Sequence, residues 1–340
     1  YMVYNKSSLT TSRSFTCHSA VDSTDEMLNQ TNSTLIGDGL FRTYRLAMSC
    51  TVEYASFHVN AAIAAGTITS GATETQKKAV VLAAMNVTVA RINSVYETDM
   101  SLRMQLVANN ESVIFITSDS FDNDNANTLI NQSQSVIDNT IGFTNYDVGH
   151  TVSTGGGGLA ARGSVCTTSK ARGITGSPAP VGDPFDIDYV AHEVGHQFGS
   201  NHTSNNSCGN HRAGGQAVEP GSGSTIMAYA GICPTDVQSN SDFYFHAVSI
   251  AEMTSHITGP TGNCVAGVAN GNNAPVIQNI ANYTIPKGTP FVLTGVATDD
   301  SSSSMTYCWE QTNPGASTAL PSATSATSNP NFRSITPSLS

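Results

Sequence analysis

The segment Asp186 to His202, DIDYVAHEVGHQFGSNH, constrains this chain more than any other stretch. His192 and His196 stand four residues apart, which on a helix sets both imidazoles on one face within reach of a single metal ion. Glu193 lies beside them, placed to touch a metal-bound water without being a ligand. A catalytic zinc takes three protein ligands and a water, so a third ligand has to be found. A straight helix would turn His202 away from that face. Gly199 stands where it can adopt the left-handed conformation that ends a helix and sends the chain back under the metal. His, Glu, His, Gly and His fall at these offsets by chance with a probability on the order of 10⁻⁵ in a chain of this composition. The spacing therefore predicts a zinc-binding helix broken at Gly199, with His202 as third ligand.

The remaining composition narrows the partners. Charged residues are only 11% of the 340, against about 25% in an average soluble protein. A net charge of -11 leaves no basic field for phosphate backbones, which excludes nucleic acid as an expected partner. The longest mostly apolar stretch, Ala79 to Ile92, is interrupted by Asn86 and Thr88 and falls short of the roughly 20 residues of a membrane span, so none is expected. The start at Tyr1, with no charged-then-apolar leader, reads as a secreted precursor whose signal is already removed. Seven cysteines, at 17, 50, 166, 208, 233, 264 and 308, are widely spaced without a C-x-x-C pair, which fits disulfides in an oxidising compartment. The odd count leaves at least one without an internal partner.

Three textures divide the chain. Residues 1–38 are rich in Ser, Thr and Asn without a sustained period, as expected of the C-terminal part of a propeptide lying extended on another surface. Residues 39–270 alternate β and α patterns: β-rich Leu40 to Phe57, a long helix Thr73 to Glu97 with Ala79, Leu82, Ala83, Val89, Ile92 and Tyr96 near helical spacing, strands at LRMQLV and VIFI, a helix around LINQSQSVIDN and a strand at YDVGHTVST. This predicts an α/β (α+β) layer structure with a mixed, twisted sheet. Residues 271–340 read as short strands punctuated by Pro, Gly and Asp, an incomplete immunoglobulin-like β-sandwich module.

HEVGHQFGSNH followed by STIMAYAG, Ser224 to Gly231, resembles the metzincin zinc endopeptidases, in which a methionine-containing turn lies beneath the metal; Met227 would be that methionine. Within them the chain is most similar to the reprolysin-like (adamalysin and ADAM) group, especially its secreted bacterial relatives, over roughly residues 40 to 267. The segment Gly155 to Thr175 is similar to their edge-strand and cysteine segment. Two positions depart from the pattern. Thr203 follows the third histidine where reprolysins usually have Asp, a choice shared with pappalysin-like enzymes. Tyr229, two after Met227, resembles the astacin and serralysin turn.

The resemblance implies a secreted, monomeric zinc endopeptidase acting on proteins or peptides. His192, His196 and His202 would hold Zn²⁺, Glu193 would be the general base for a zinc-activated water, and Tyr229 either hydrogen-bonds the oxyanion or packs in the turn. Gly158, Leu159 and Ala160 would form the edge strand that pairs antiparallel with an extended substrate. It also implies disulfides Cys166 to Cys264 and Cys208 to Cys233. Cys17, in FTCHS, is either a prosegment latch on the open zinc position of a zymogen, a disulfide partner of Cys50, or otherwise engaged; a latch would be released by a cut near Gly37 to Phe41. A pappalysin-like or other metzincin subfamily is the nearest alternative, and a catalytically weak zinc protein working through its C-terminal β module is another. His150 and His246 read as structural residues, the sequons at Asn86 and Asn201 as accidental, and Ala297 to Asp300 as a strand-end turn in preference to a Ca²⁺ site.

Overall fold

The computed structural model of this chain describes residues 16–18, 37–206, 208–286, 288–300, 305–317 and 330–339. The rest of the expected propeptide, 1–15 and 19–36, lies outside the described residues. A twisted sheet runs in the order β2-β1-β3-β5-β4, formed by β1 (Leu40–Cys50), β2 (Leu102–Leu106), β3 (Val148–Ser153), β4 (Gly157–Ala160) and β5 (Gly173–Gly176). β1, β2, β3 and β5 are parallel, and β4 closes one edge antiparallel to β5, with Gly158 opposite Thr175. A short β6 (Val268–Ala269) returns antiparallel to the start of β1, so the end of this unit lies against its beginning.

Alternation along β1 sorts the two faces. Tyr44, Leu46 and Met48 point into the larger core, while Ala47 points into a second cluster with Ile137, Ile141 and Tyr146. The larger core is covered by α1 (Val52–Ala64) and α2 (Glu74–Met100), the smaller by α3 (Ala126–Thr140). α2 starts at a capping box in which Thr73 and Gln76 satisfy each other's backbone N–H groups. It is long and apolar enough by composition to cross a membrane. Its Val81, Met85, Ile92, Tyr96 and Met100 are instead buried in the core, which accounts for the apolar content.

Three local expectations are corrected. The β pattern read through Phe57 stops at Cys50: Thr51 caps a helix by accepting a hydrogen bond from Tyr54 N–H at 3.3 Å, and Tyr54, Ala55 and Val59 form its buried side. VIFI is not a strand. Asn110 holds that segment in a 3-10 turn by exchanging hydrogen bonds with the backbone of Met48, at 2.8 and 2.9 Å, and only Ile114 bridges to Cys50. On α2 the buried stripe passes through Val81 and Met85, leaving Ala79 and Ala83 exposed.

After Gly271 the strand pairing among the described residues consists of β7 (Val276–Ile277) with β8 (Ala297–Thr298) and a bridge between Tyr307 and Ser338. An immunoglobulin-like sandwich in 271–340 thus rests on the sequence alone. The two disulfides implied by resemblance are present, Cys166–Cys264 and Cys208–Cys233, with Cα atoms 5.6 and 5.8 Å apart. Cys17 and Cys50 are both buried and form no disulfide.

Candidate metal centre

The zinc-helix segment is built in three steps. A single turn, α4 (Asp183–Phe185), leads into a π-helical stretch from Asp186 to Ala191, and this continues as α5 (His192–Gln197). Outside contacts pin the stretch: Thr88 donates to Asp186 at 2.7 Å, Ser241 N–H to Asp188 at 2.9 Å, and the Tyr96 hydroxyl to the Ala191 carbonyl at 2.9 Å. Burial pushes Asp186 up to about 7.

α5 ends as its sequence requires. Gly199 has φ +112°, its N–H bonds to the His196 carbonyl at 2.8 Å, and Ser200 N–H bonds to Gly195 at 3.0 Å. The chain then passes beneath the helix, where Thr203 N–H bonds to the Met227 carbonyl at 3.1 Å. Met227 is fully buried, and a Cβ on Gly195 would sit 2.5 Å from its sulfur. The glycine inside HEVGH is therefore set by the close approach of the methionine turn.

Each imidazole donates its Nδ1 proton to a backbone carbonyl at 2.7 Å: His192 to Ile226, His196 to Ser200 and His202 to His211. A carbonyl can only accept, so the tautomer is fixed and every Nε2 keeps its lone pair for a ligand. These three Nε2 atoms and Cys17 Sγ all lie within 4.8 Å of one another, and all four residues are buried. His196 Nε2 is 2.9 Å from His202 Nε2; Cys17 Sγ is 3.5 Å from His202 Nε2 and 3.8 Å from His196 Nε2. Donors about 2.0–2.3 Å from a tetrahedral zinc stand about 3.3–3.8 Å apart, so the group fits one ion. Burial lowers the His192 pKa to about 4 and, with the neighbouring imidazoles, holds His196 and His202 well below the usual histidine range. All three are neutral at physiological pH, the form that ligates.

Around the cluster, Glu193 is fully buried and packs so closely on Gly158 that a Cβ there would overlap its carboxylate. Tyr229 lies with its ring centroid 4.6 Å from that of His202, and burial first, then the neighbouring Cys17, raises its phenol well above the usual range. Thr16 to His18 lies along β4: Gly158 N–H donates to Thr16 O at 3.0 Å and His18 N–H to Gly158 O at 2.7 Å, in parallel register. Leu159 and Ala160 continue β4 opposite Ile174 and Gly173.

Other expected roles separate cleanly. His150 bonds Gln197 and Thr175, each at 2.9 Å, and His246 caps the helix Ala247–Thr258. Asn201 is buried with its amide donating to Glu252 at 2.8 Å, a structural use of that sequon. Asp300 accepts from Asn273, and among the described residues the Cys17 and histidine group is the cluster with metal-binding geometry. Sequence reasoning missed Gly158's fit to Glu193, the three carbonyl acceptors and Glu219. Thr203, where reprolysins usually carry Asp, donates its hydroxyl to that buried glutamate. No motif signals such contacts, because each joins a spacing particular to this loop.

Comparison with known families agrees with this geometry. Residues 82–203 match the profile described as Metallo-peptidase family M12B Reprolysin-like, which takes in α2 from Leu82 onward, the strands β2 to β5, α5 and the third histidine. A search of curated proteins finds no match to the chain. With three neutral imidazoles converging on one point inside the matched region, residues 82–203 are similar to the reprolysin-like metallopeptidases of family M12B, and the chain is a zinc metalloendopeptidase.

Proposed function

We propose that this chain is an extracellular endopeptidase in a latent form, with Cys17 occupying the open zinc position. The observation that carries the reading is the fourth donor: Cys17 Sγ faces the same point as the three histidine Nε2 atoms. The two disulfides support an oxidising, extracellular setting. The pairing of Thr16 to His18 with Gly158 also supports latency, since it uses the backbone groups an extended substrate would need. That segment runs parallel to β4, the reverse of the antiparallel course proposed for a substrate.

His192, His196 and His202 would hold zinc, which when bound acidifies water to a pKa of about 7 and polarises a carbonyl. Glu193, fixed between His192 and His196 and pressed against β4, accepts a proton from water at its carboxylate and returns it to the leaving amine. Gly158 and its neighbours bind the peptide backbone beside that carboxylate, and Tyr229, held protonated by burial, donates a hydrogen bond toward the reacting carbonyl.

Two variants test the reading. Cys17→Ser is expected to hydrolyse casein without prior cleavage while the parent chain stays silent, and zinc K-edge absorption should lose its sulfur neighbour. Glu193→Gln in the Cys17→Ser background should retain zinc and lose activity. Equal activity of parent and Cys17→Ser removes the latch; turnover by the Glu193 variant removes the general base.

A further inference from the structure

Glu219 is almost fully buried in the loop between the third histidine and the methionine turn, with 1% of its surface exposed. Its Oε2 accepts from the hydroxyls of Thr203 and Thr225, each at 2.5 Å. Its Oε1 accepts from the backbone N–H groups of Ser224 at 2.8 Å and Thr225 at 3.1 Å. These four donors are neutral, so hydrogen bonds compensate the buried carboxylate.

The partners sit at two significant places. Thr203 directly follows His202. Ser224 and Thr225 directly precede Ile226, whose carbonyl takes the His192 proton. Backbone bonds reinforce both sides of the clamp: Glu219 N–H donates to Thr203 O and Asn205 N–H to Glu219 O, each at 2.9 Å. One carboxylate therefore joins the segment that carries His202 to the turn whose Ile226 carbonyl orients His192, by a path that bypasses α5.

We propose that Glu219 is a positioning residue of the metal centre, which with the Thr203 hydroxyl fixes His202 relative to the Ile226 carbonyl that orients His192. The inference rests on the reading of the three histidines as the zinc ligands. A loop tied only for its own stability needs the turn closed. A residue that sets ligand spacing alters metal retention when its bonds are lost, even where the fold survives.

Zinc loss from the purified full chain is measured by competition with a colorimetric chelator, alongside circular dichroism and thermal unfolding. Thr203→Val, which deletes one hydroxyl at nearly constant shape, and Glu219→Gln are each expected to weaken zinc retention about 10- to 100-fold, the range for groups that orient metal ligands. Thr203→Ser, which keeps the hydroxyl, should retain zinc like the parent. The double variant should fall well short of the product of the single effects, because both changes break one link. Unchanged zinc retention in folded Thr203→Val and Glu219→Gln, with only a lowered melting temperature, overturns the proposal. If Glu219→Gln does not fold, Thr203→Val decides alone by the same criterion. A parent chain that takes up no zinc overturns the histidine reading itself, an outcome distinct from variants that bind as the parent does.

Discussion

At the scale of single residues, the centre is held by what is missing from two glycines as much as by what its histidines carry. Gly158 leaves the space that the Glu193 carboxylate fills. Adding one methyl there must push the carboxylate aside or displace β4, since the obstructed group is the proposed general base on a buried helix. Gly158→Ala, freed of its prosegment, is expected to fold and bind zinc yet lose about 100-fold or more in kcat, the lower range for a misplaced general base. The measurement is peptide turnover with metal content on the same sample, and parental kcat at full zinc loading would falsify the packing argument. The convergence of the three histidines and the break at Gly199 were legible in the sequence, because helix periodicity puts His192 and His196 on one face and a glycine suits the turn that brings back His202. Gly158 and Gly195 were not, because their constraint comes from side chains 35 and 32 residues away, Glu193 and Met227.

At the scale of elements, the joint between sheet and zinc helix runs through His150 on β3. Gln197 at the end of α5 accepts from its Nδ1 and sends its own amide to the Gly149 carbonyl at 2.9 Å, while Thr175 on β5 bonds its Nε2. Burial lowers the His150 pKa to about 4, against 6.5 for an ordinary histidine. Between those values the unfolded chain binds the proton and the folded chain does not, so this contribution to stability is present above about pH 6.5 and lost as pH falls toward 4. Its size is about 2 kcal/mol between about pH 7 and pH 5. Urea melts should give a shallower decline over that interval for His150→Asn than for the parent; parallel declines would show that the folded chain protonates His150 as readily as the unfolded one. The sequence marked β3, α2 and α3 correctly because their apolar residues recur over long, regular stretches. It missed α1 because β-branched and aromatic residues at Val52, Tyr54 and Phe57 imitate a strand, and only the Thr51 cap and the packing on α2 decide for a helix. The same ambiguity made VIFI look extended.

At the scale of the whole molecule, the segment after Gly271 bears on the peptidase domain at points around the metal centre. Glu310 accepts from Ala247 N–H at 2.7 Å, capping the last helix of the domain, and from the Ser334 hydroxyl at 2.6 Å. Ser334 in turn bonds the Tyr244 hydroxyl at 2.7 Å and accepts from Ser224 at 3.3 Å, while Asn205 and Arg212 reach the carbonyls of Ala316 and Gly315. These contacts stop short of Ile226, Ser200 and His211, whose carbonyls orient the imidazoles. They should therefore act on stability and leave metal retention alone. Glu310→Ala removes a carboxylate from a helix N-terminus and leaves the Ala247 donor without it, at a cost of about 1 kcal/mol. The expected result is a melting temperature lowered by about 2–4 °C with unchanged zinc retention. An unaltered melting temperature would mean that solvent replaces the Glu310 contacts without loss. A drop in zinc retention would instead place the C-terminal segment among the groups that set the geometry of the centre, alongside Glu219.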